Sequence, residues 1–98
     1  MPVLSYLTLF LQDHEQPDFE RDLKELLAQA PQHQGFRWVE VYQRHGDAST
    51  YLILSEWDTL EDLKAWEHSP RHEEAMADNT PRFRQAEVHR RYVPEPRP

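Results

Sequence analysis

Apolar residues occur along this chain in two patterns, which together predict a βαββαβ order. Dense runs rich in β-branched and aromatic residues are typical of strands, whereas apolar residues spaced three or four apart are typical of one buried helix face. The dense runs predict strands at 3–11, 36–44, 51–57 and 85–93. The wider spacing predicts a first helix with an apolar face of Phe19, Leu23, Leu26, Leu27 and Ala30.

Residues typical of helix starts locate the other helices. Asp58 and Glu61 resemble a capping box, so a second helix is expected to begin just after Trp57. Its inner face should carry Leu60, Leu63 and Trp66. Ser69 followed by Pro70 predicts a short further helix that extends to about Asp78.

The first and third predicted strands are apolar on both faces. Leu4, Tyr6 and Phe10 would lie on one face of the first strand, opposite a second apolar set of Val3, Leu7, Leu9 and Leu11. Helices joined in this order can cover only one face of a four-stranded sheet, so a second copy of the chain is expected to cover the other. The pattern therefore predicts a homodimer.

Composition and charge limit the function classes. The chain has 98 residues, of which 38% are hydrophobic, and a formal net charge of −7. We expect one domain at 1–93 with a flexible proline-rich tail at 94–98, and no nucleic-acid partner, because phosphate backbones favour basic surfaces. Arg82, Arg84, Arg90 and Arg91 are interpreted as solvated residues of an edge strand. The absence of cysteine and of a membrane-spanning run predicts a soluble cytoplasmic protein without a membrane partner.

The segment from Trp57 to His72, WDTLEDLKAWEHSPRH, together with the βαββαβ order, resembles the antibiotic biosynthesis monooxygenase superfamily. The resemblance covers the chain from Pro2 to about Val93. It implies an α+β fold, in which a ferredoxin-like protomer has an antiparallel four-stranded sheet with helices on one face. It also implies assembly into a dimeric α+β barrel.

The heme-degrading branch of this superfamily is matched only in part. Trp66 stands where that branch has a tryptophan, but the first strand has no asparagine. A gapless comparison places Ala75 at the position of the iron-binding histidine, and His72 could replace it only after a shift of about one helical turn. Heme binding is possible but disfavoured, and we expect no cofactor.

The polyketide-oxidising branch is also matched only in part. Trp57 resembles its pocket tryptophan, whereas Ile53 and Leu63 stand where an asparagine and a tyrosine are expected. The chemistry of neither branch is therefore supported in detail by these residues.

Trp66 and His72 are the candidate catalytic residues, and a sharp bend between the helix that Trp66 ends and the helix whose first turn contains His72 is expected to bring them close together. Trp66 would form a wall for a flat substrate and His72 would accept a proton, while core packing and a surface histidine are the structural alternatives. The candidate substrate-binding residues are Trp38, Trp57 and His68. His68 and His72 are four apart, but Ser69 and Pro70 interrupt the helix between them, so no metal site is expected.

Three functions remain open from the sequence. The first is a cofactor-independent monooxygenase that acts on a small aromatic or quinol-like substrate. The second is a non-catalytic module that binds or senses a small ligand. The third, disfavoured above, is a heme-binding or heme-degrading protein.

Overall fold

Four antiparallel strands form one sheet in the computed structural model, which describes residues 1–96. The strands are β1 (Val3–Phe10), β2 (Phe36–Arg44), β3 (Asp47–Trp57) and β4 (Val88–Tyr92), and their order in the sheet is β2-β3-β1-β4. The helices are α1 (Gln16–Leu27), α2 (Leu60–Glu67) and α3 (Pro70–Asn79), with short 3-10 helices at Ala30–Gln32 and Thr80–Arg82. The predicted ferredoxin-like α+β fold is confirmed. Of the predicted tail, 94–96 is exposed and without regular structure, and 97–98 lie outside the described residues.

The core lies between the helices and one face of the sheet, here called the inner face. Inner-face residues of β1 and β3 alternate with less buried residues along both strands. Two buried clusters result. One packs α1 against the middle of the sheet through Leu7, Leu9, Phe19, Leu23 and Ile53. The other packs α1 and α2 against the end of the sheet through Val3, Leu26, Trp57, Leu63 and Trp66.

The start of α2 differs by one residue from the prediction. Thr59 is the N-cap, and its hydroxyl oxygen accepts a hydrogen bond from the Asp62 amide at 3.1 Å. The predicted pairing of Asp58 with Glu61 is wrong, because the Asp58 carboxylate lies 2.6 Å from the Arg37 guanidinium instead. The cap thus uses the spacing of three that the sequence suggested, shifted by one position.

The start of α3 is correctly predicted, although its chemistry differs. Ser69 occupies the N-cap position and Pro70 begins the helix, but the Ser69 side chain makes no capping hydrogen bond. Its hydroxyl donates instead to the Trp66 carbonyl oxygen at 2.7 Å. This bond fixes the bend between α2 and α3, so that the end of one helix and the first turn of the next lie close together.

The third and fourth strands differ in length from the prediction. β3 begins four residues earlier than expected, at Asp47, and β4 begins three residues later, at Val88. Arg82 and Arg84 precede β4, so their interpretation as solvated residues of an edge strand is wrong. Arg82 lies 2.6 Å from the Asp22 carboxylate, and Arg84 donates to the Leu11 carbonyl oxygen at 2.9 Å.

The outer face of the sheet carries many apolar side chains that the helices do not cover. Half-buried aliphatic and aromatic residues of the two central strands line it, namely Leu4, Tyr6, Phe10, Leu52 and Leu54. Tyr42 and Tyr92 on the flanking strands are 47% and 52% exposed. The two-faced pattern of the sequence is therefore present in the folded chain.

Candidate functional site

A small cavity lies between the inner face of the sheet and the helices. It has a volume of about 50 Å³, and aliphatic and aromatic side chains form most of its wall. Beside it, a surface groove of about 270 Å³ runs along α2, α3 and β4. The cavity and the groove share five lining residues, Leu7, Glu67, His72, Met76 and His89. These five residues therefore form the boundary between a wider outer site and a narrow inner one.

Trp66 is the centre of an aromatic cluster at this site. Its side chain is buried, with the residue 5% exposed, and its ring stacks on Trp57 with centroids 5.9 Å apart. His72 meets the Trp66 ring edge to face at 5.1 Å, and His33 does so at 4.8 Å. The expected proximity of Trp66 and His72 is confirmed, because the bend at Ser69 brings them together.

His72 is suited to accept a proton. It lies in the first turn of α3, where the helix dipole disfavours a cation. Burial lowers the pKa of the imidazole below its ordinary value, an effect that the nearby Glu67 carboxylate opposes only in part. The side chain is therefore neutral at pH 7 and lines both the cavity and the groove.

A polar cluster of Glu67, His89 and Arg91 closes the other side of the boundary. The Glu67 side chain is only 9% exposed, and its two carboxylate oxygens accept from Arg91 at 2.8 and 3.2 Å. His89 Nε2 lies 3.1 Å from Glu67, and Arg91 lies 3.3 Å from His89 Nδ1. Because a guanidinium can only donate, Nδ1 is the acceptor and Nε2 carries the hydrogen. Burial lowers the pKa of His89, with Glu67 opposing the shift and Arg91 adding to it.

Ser5 and His89 do not form a nucleophilic pair. The Ser5 hydroxyl lies 2.8 Å from His89 Nε2. That nitrogen already carries the hydrogen directed at Glu67 and Ser5, so it cannot remove the serine proton. We therefore find no hydrolytic arrangement in this cluster, and the serine oxygen acts as an acceptor.

The predicted substrate-binding residues are placed in three different ways. Trp57 lines the cavity, and its indole N–H donates to the Ser55 hydroxyl oxygen at 3.1 Å. His68 is exposed, lines the groove and lies 3.5 Å from the Glu73 carboxylate. Trp38 pairs with Glu56 on the outer face, so the structure does not bring it to this cavity. The roles of all three remain predictions.

Sequence reasoning missed Glu67, His89 and Ser5. His89 and Ser5 are 84 positions apart and meet only because β4 pairs with β1. Nothing in the sequence distinguishes Glu67 from its acidic neighbours, and its position beneath β4 buries it. Among residues 1–96, no group of three or more histidine or carboxylate side chains is placed to hold a metal ion. The same residues include no helix that is both long and apolar enough to cross a membrane.

Solved structures similar to this chain share its fold. A conserved protein from Methanosarcina mazei Go1 aligns with a TM-score of 0.91 at 15% identity, covering 97% of this chain and 94% of that one. Rv0793 from Mycobacterium tuberculosis aligns with a TM-score of 0.87 at 12% identity, covering 99% and 98%. A protein described as an antibiotic biosynthesis monooxygenase aligns with a TM-score of 0.88 at 12% identity, covering 96% and 99%. Identities this low demonstrate the fold alone.

The sequence comparisons are more specific about the family. No curated protein matches the chain significantly. The family profile described as antibiotic biosynthesis monooxygenase matches residues 3–78, a range that holds β1 to β3, α1, α2 and most of α3. The chain therefore belongs to the antibiotic biosynthesis monooxygenase family.

Proposed function

We propose that this protein is a cofactor-independent monooxygenase that acts on a small phenol or quinol. The observation that carries this proposal is the position of His72 at the boundary between the groove and the cavity, with its ring packed on Trp66 of the cavity wall. A neutral imidazole supplies a proton acceptor, and the buried Trp66 indole against which it packs holds that acceptor in position. Family membership supports the reaction class, and the pairing supports the roles of these two residues.

The chemistry requires only a base and a shielded site, because the substrate itself reduces dioxygen. His72 takes the phenolic proton, and the phenolate transfers one electron to dioxygen, which gives a phenoxyl radical and superoxide. The two radicals combine in a carbon–oxygen bond, and protonated His72 returns its proton to the peroxide. The ring carbon then loses its hydrogen as a proton to His72 while the oxygen–oxygen bond breaks and hydroxide leaves. His72 returns that proton to the hydroxide. The products are a quinone and water.

The groove favours a neutral substrate. Its volume of about 270 Å³ approaches the lower end, roughly 300 Å³, of pockets that bind drug-sized ligands. Glu73 and Glu87 line it, while Arg91, the cation of the groove, is paired with Glu67. Burial is the main cause that raises the pKa of Glu87, and the negative charge of Glu67 adds to this shift. A carboxylated substrate would therefore meet acidic groups and little free positive charge.

The residues present do not fit heme. Ala75 stands at the position where the heme-degrading branch has its iron-binding histidine, and an alanine cannot bind iron. The His72 ring packs against Trp66, and the cavity of about 50 Å³ is far smaller than a macrocycle. We propose that no heme takes part.

We also propose that the protein is a cytoplasmic homodimer whose sheets pack through their outer faces. Burial of an apolar face between two copies is a common use of such a surface. The lack of cysteine suits a reducing compartment.

Oxygen uptake with a panel of neutral phenols and quinols tests the proposed reaction. We expect uptake that depends on the protein and gives a quinone in equal amount, without added metal or heme. Binding of the same compounds without uptake would support a non-catalytic ligand-binding module instead. In a separate titration with heme, a strong shifted absorption band would contradict the proposal that heme is not used.

A further inference from the structure

Two buried serine hydroxyls lie side by side on the sheet floor of the cavity. Ser5 of β1 and Ser55 of β3 are directly opposite each other in the antiparallel pair, and both line the cavity. The residues are 5% and 8% exposed. Opposite residues in such a pair have Cβ atoms about 4.5–5.5 Å apart, so the two side chains are neighbours.

Each serine oxygen accepts a hydrogen bond from an N–H group held in place by the fold. The Trp57 indole donates to Ser55 at 3.1 Å, and His89 Nε2–H donates to Ser5 at 2.8 Å. A hydroxyl also carries one hydrogen of its own to donate. Within residues 1–96 neither serine hydroxyl has a further hydrogen-bond partner. Both hydroxyl hydrogens are therefore free to donate to a small molecule in the cavity.

The size and lining of the cavity select what can reach these donors. About 50 Å³ holds one or two molecules of the size of water, and an aromatic ring is excluded. Leu7, Leu9 and Ile53 form the apolar part of the wall beside the serines. The Glu67 carboxylate also lines the cavity, and its ion pair with Arg91 neutralises its charge. A diatomic, apolar molecule that becomes negatively charged during the reaction matches a small, largely apolar chamber with two neighbouring O–H donors.

We propose that this cavity is the dioxygen site, and that Ser5 and Ser55 stabilise the superoxide and peroxide formed there. The proposal rests on the monooxygenase function above and separates the two substrates, with the phenol in the groove and dioxygen in the cavity. The electron passes from the phenolate to dioxygen across the boundary at His72. The two O–H groups then donate to the anion until the carbon–oxygen bond has formed and the peroxide has been protonated.

Alanine variants of the two serines test the assignment. We expect Ser5→Ala and Ser55→Ala each to lower kcat/KM for dioxygen by about 100-fold, as for the loss of one oxyanion donor, and to leave the KM for the quinol within about twofold. More superoxide should escape from the variants and reduce added cytochrome c. Thr50→Val is the matched control, because Thr50 is a buried β3 residue whose hydroxyl bonds to Asp47 outside the cavity.

An unchanged kcat/KM for dioxygen in both serine variants would overturn the proposal, and so would an equal loss in Thr50→Val. If the wild-type protein consumes no oxygen with any phenol or quinol, the proposed function fails and this inference fails with it. Should the alanine variants not fold, wild-type crystals pressurised with xenon provide the second measurement. We expect xenon beside Ser5 and Ser55, whereas a bound phenol ring in the cavity itself would contradict the assignment.

Discussion

The His72 imidazole meets the Trp66 indole edge to face, with 5.1 Å between the ring centroids. Six positions separate the two residues, and the hydrogen bond from the Ser69 hydroxyl to the Trp66 carbonyl holds the bend that brings them together. The ring of Trp66 is in turn stacked on Trp57. The base therefore sits on a rigid aromatic support at the boundary between groove and cavity, where its position can influence a reaction.

Replacing His72 tests its role as the base. We expect His72→Ala to lower oxygen uptake with a confirmed phenol by about two to four orders of magnitude, the range for loss of a general base. The control is His45→Ala, because His45 is exposed in the β2–β3 turn and remote from the site. Equal turnover of His72→Ala and the wild type would remove His72 from the mechanism.

The lowered pKa of His72 predicts how the reaction rate depends on pH. Burial is the main cause of the shift, so the neutral base form persists below the ordinary histidine pKa of 6.5. Uptake should rise with pH, reach half its maximum below pH 6.5 and be level near neutrality. A midpoint above 6.5 in a pH profile of kcat/KM would contradict this assignment.

The same shift predicts a loss of stability in mild acid. The unfolded chain binds a proton at His72 more readily than the folded chain does, so the free energy of unfolding falls as the pH is lowered below about 6.5, until the folded-state pKa is reached. His89 should contribute in the same direction. Urea unfolding of the wild type and of His72→Gln between pH 5 and 7.5 measures the effect, and parallel pH curves for the two proteins would show that His72 does not contribute.

The sequence predicts the fold better than it predicts the site. Periodicity locates the strands and helices because each depends on neighbouring residues, and β2 coincides with its predicted range. The Glu67, His89 and Ser5 cluster depends instead on the register between β1 and β4 and on how α2 packs over them. No local pattern encodes those distances. Trp66 and His72 could be paired from the sequence because a short bend connects them.

Gly35 is expected to tolerate alanine less well than Gly46. Both glycines have φ of +82°, which costs an L-residue about 1–2 kcal/mol. A Cβ at Gly46 would meet open space, whereas a Cβ at Gly35 would overlap the Asp62 side chain of α2. Gly35→Ala should therefore lower the free energy of unfolding by about 1–3 kcal/mol more than Gly46→Ala does, as for other overpacked sites. Chemical denaturation of the two variants measures this difference. Equal losses in the free energy of unfolding would show that the Asp62 side chain moves aside without a measurable cost.

A charge on the outer face tests the proposed dimer. Tyr6 lies at the centre of that face, opposite Leu54, and packs edge to face on Tyr92 at 4.9 Å. If a second copy covers the face, Tyr6→Glu would bury an unpaired carboxylate, which costs several kcal/mol and should convert the dimer to monomer or aggregate. Ala77→Glu is the matched control, because Ala77 is exposed on α3 on the other side of the molecule. Sedimentation at micromolar concentration should show a dimer for the wild type and for Ala77→Glu, and a wild-type protein that sediments as a monomer would refute assembly through this face.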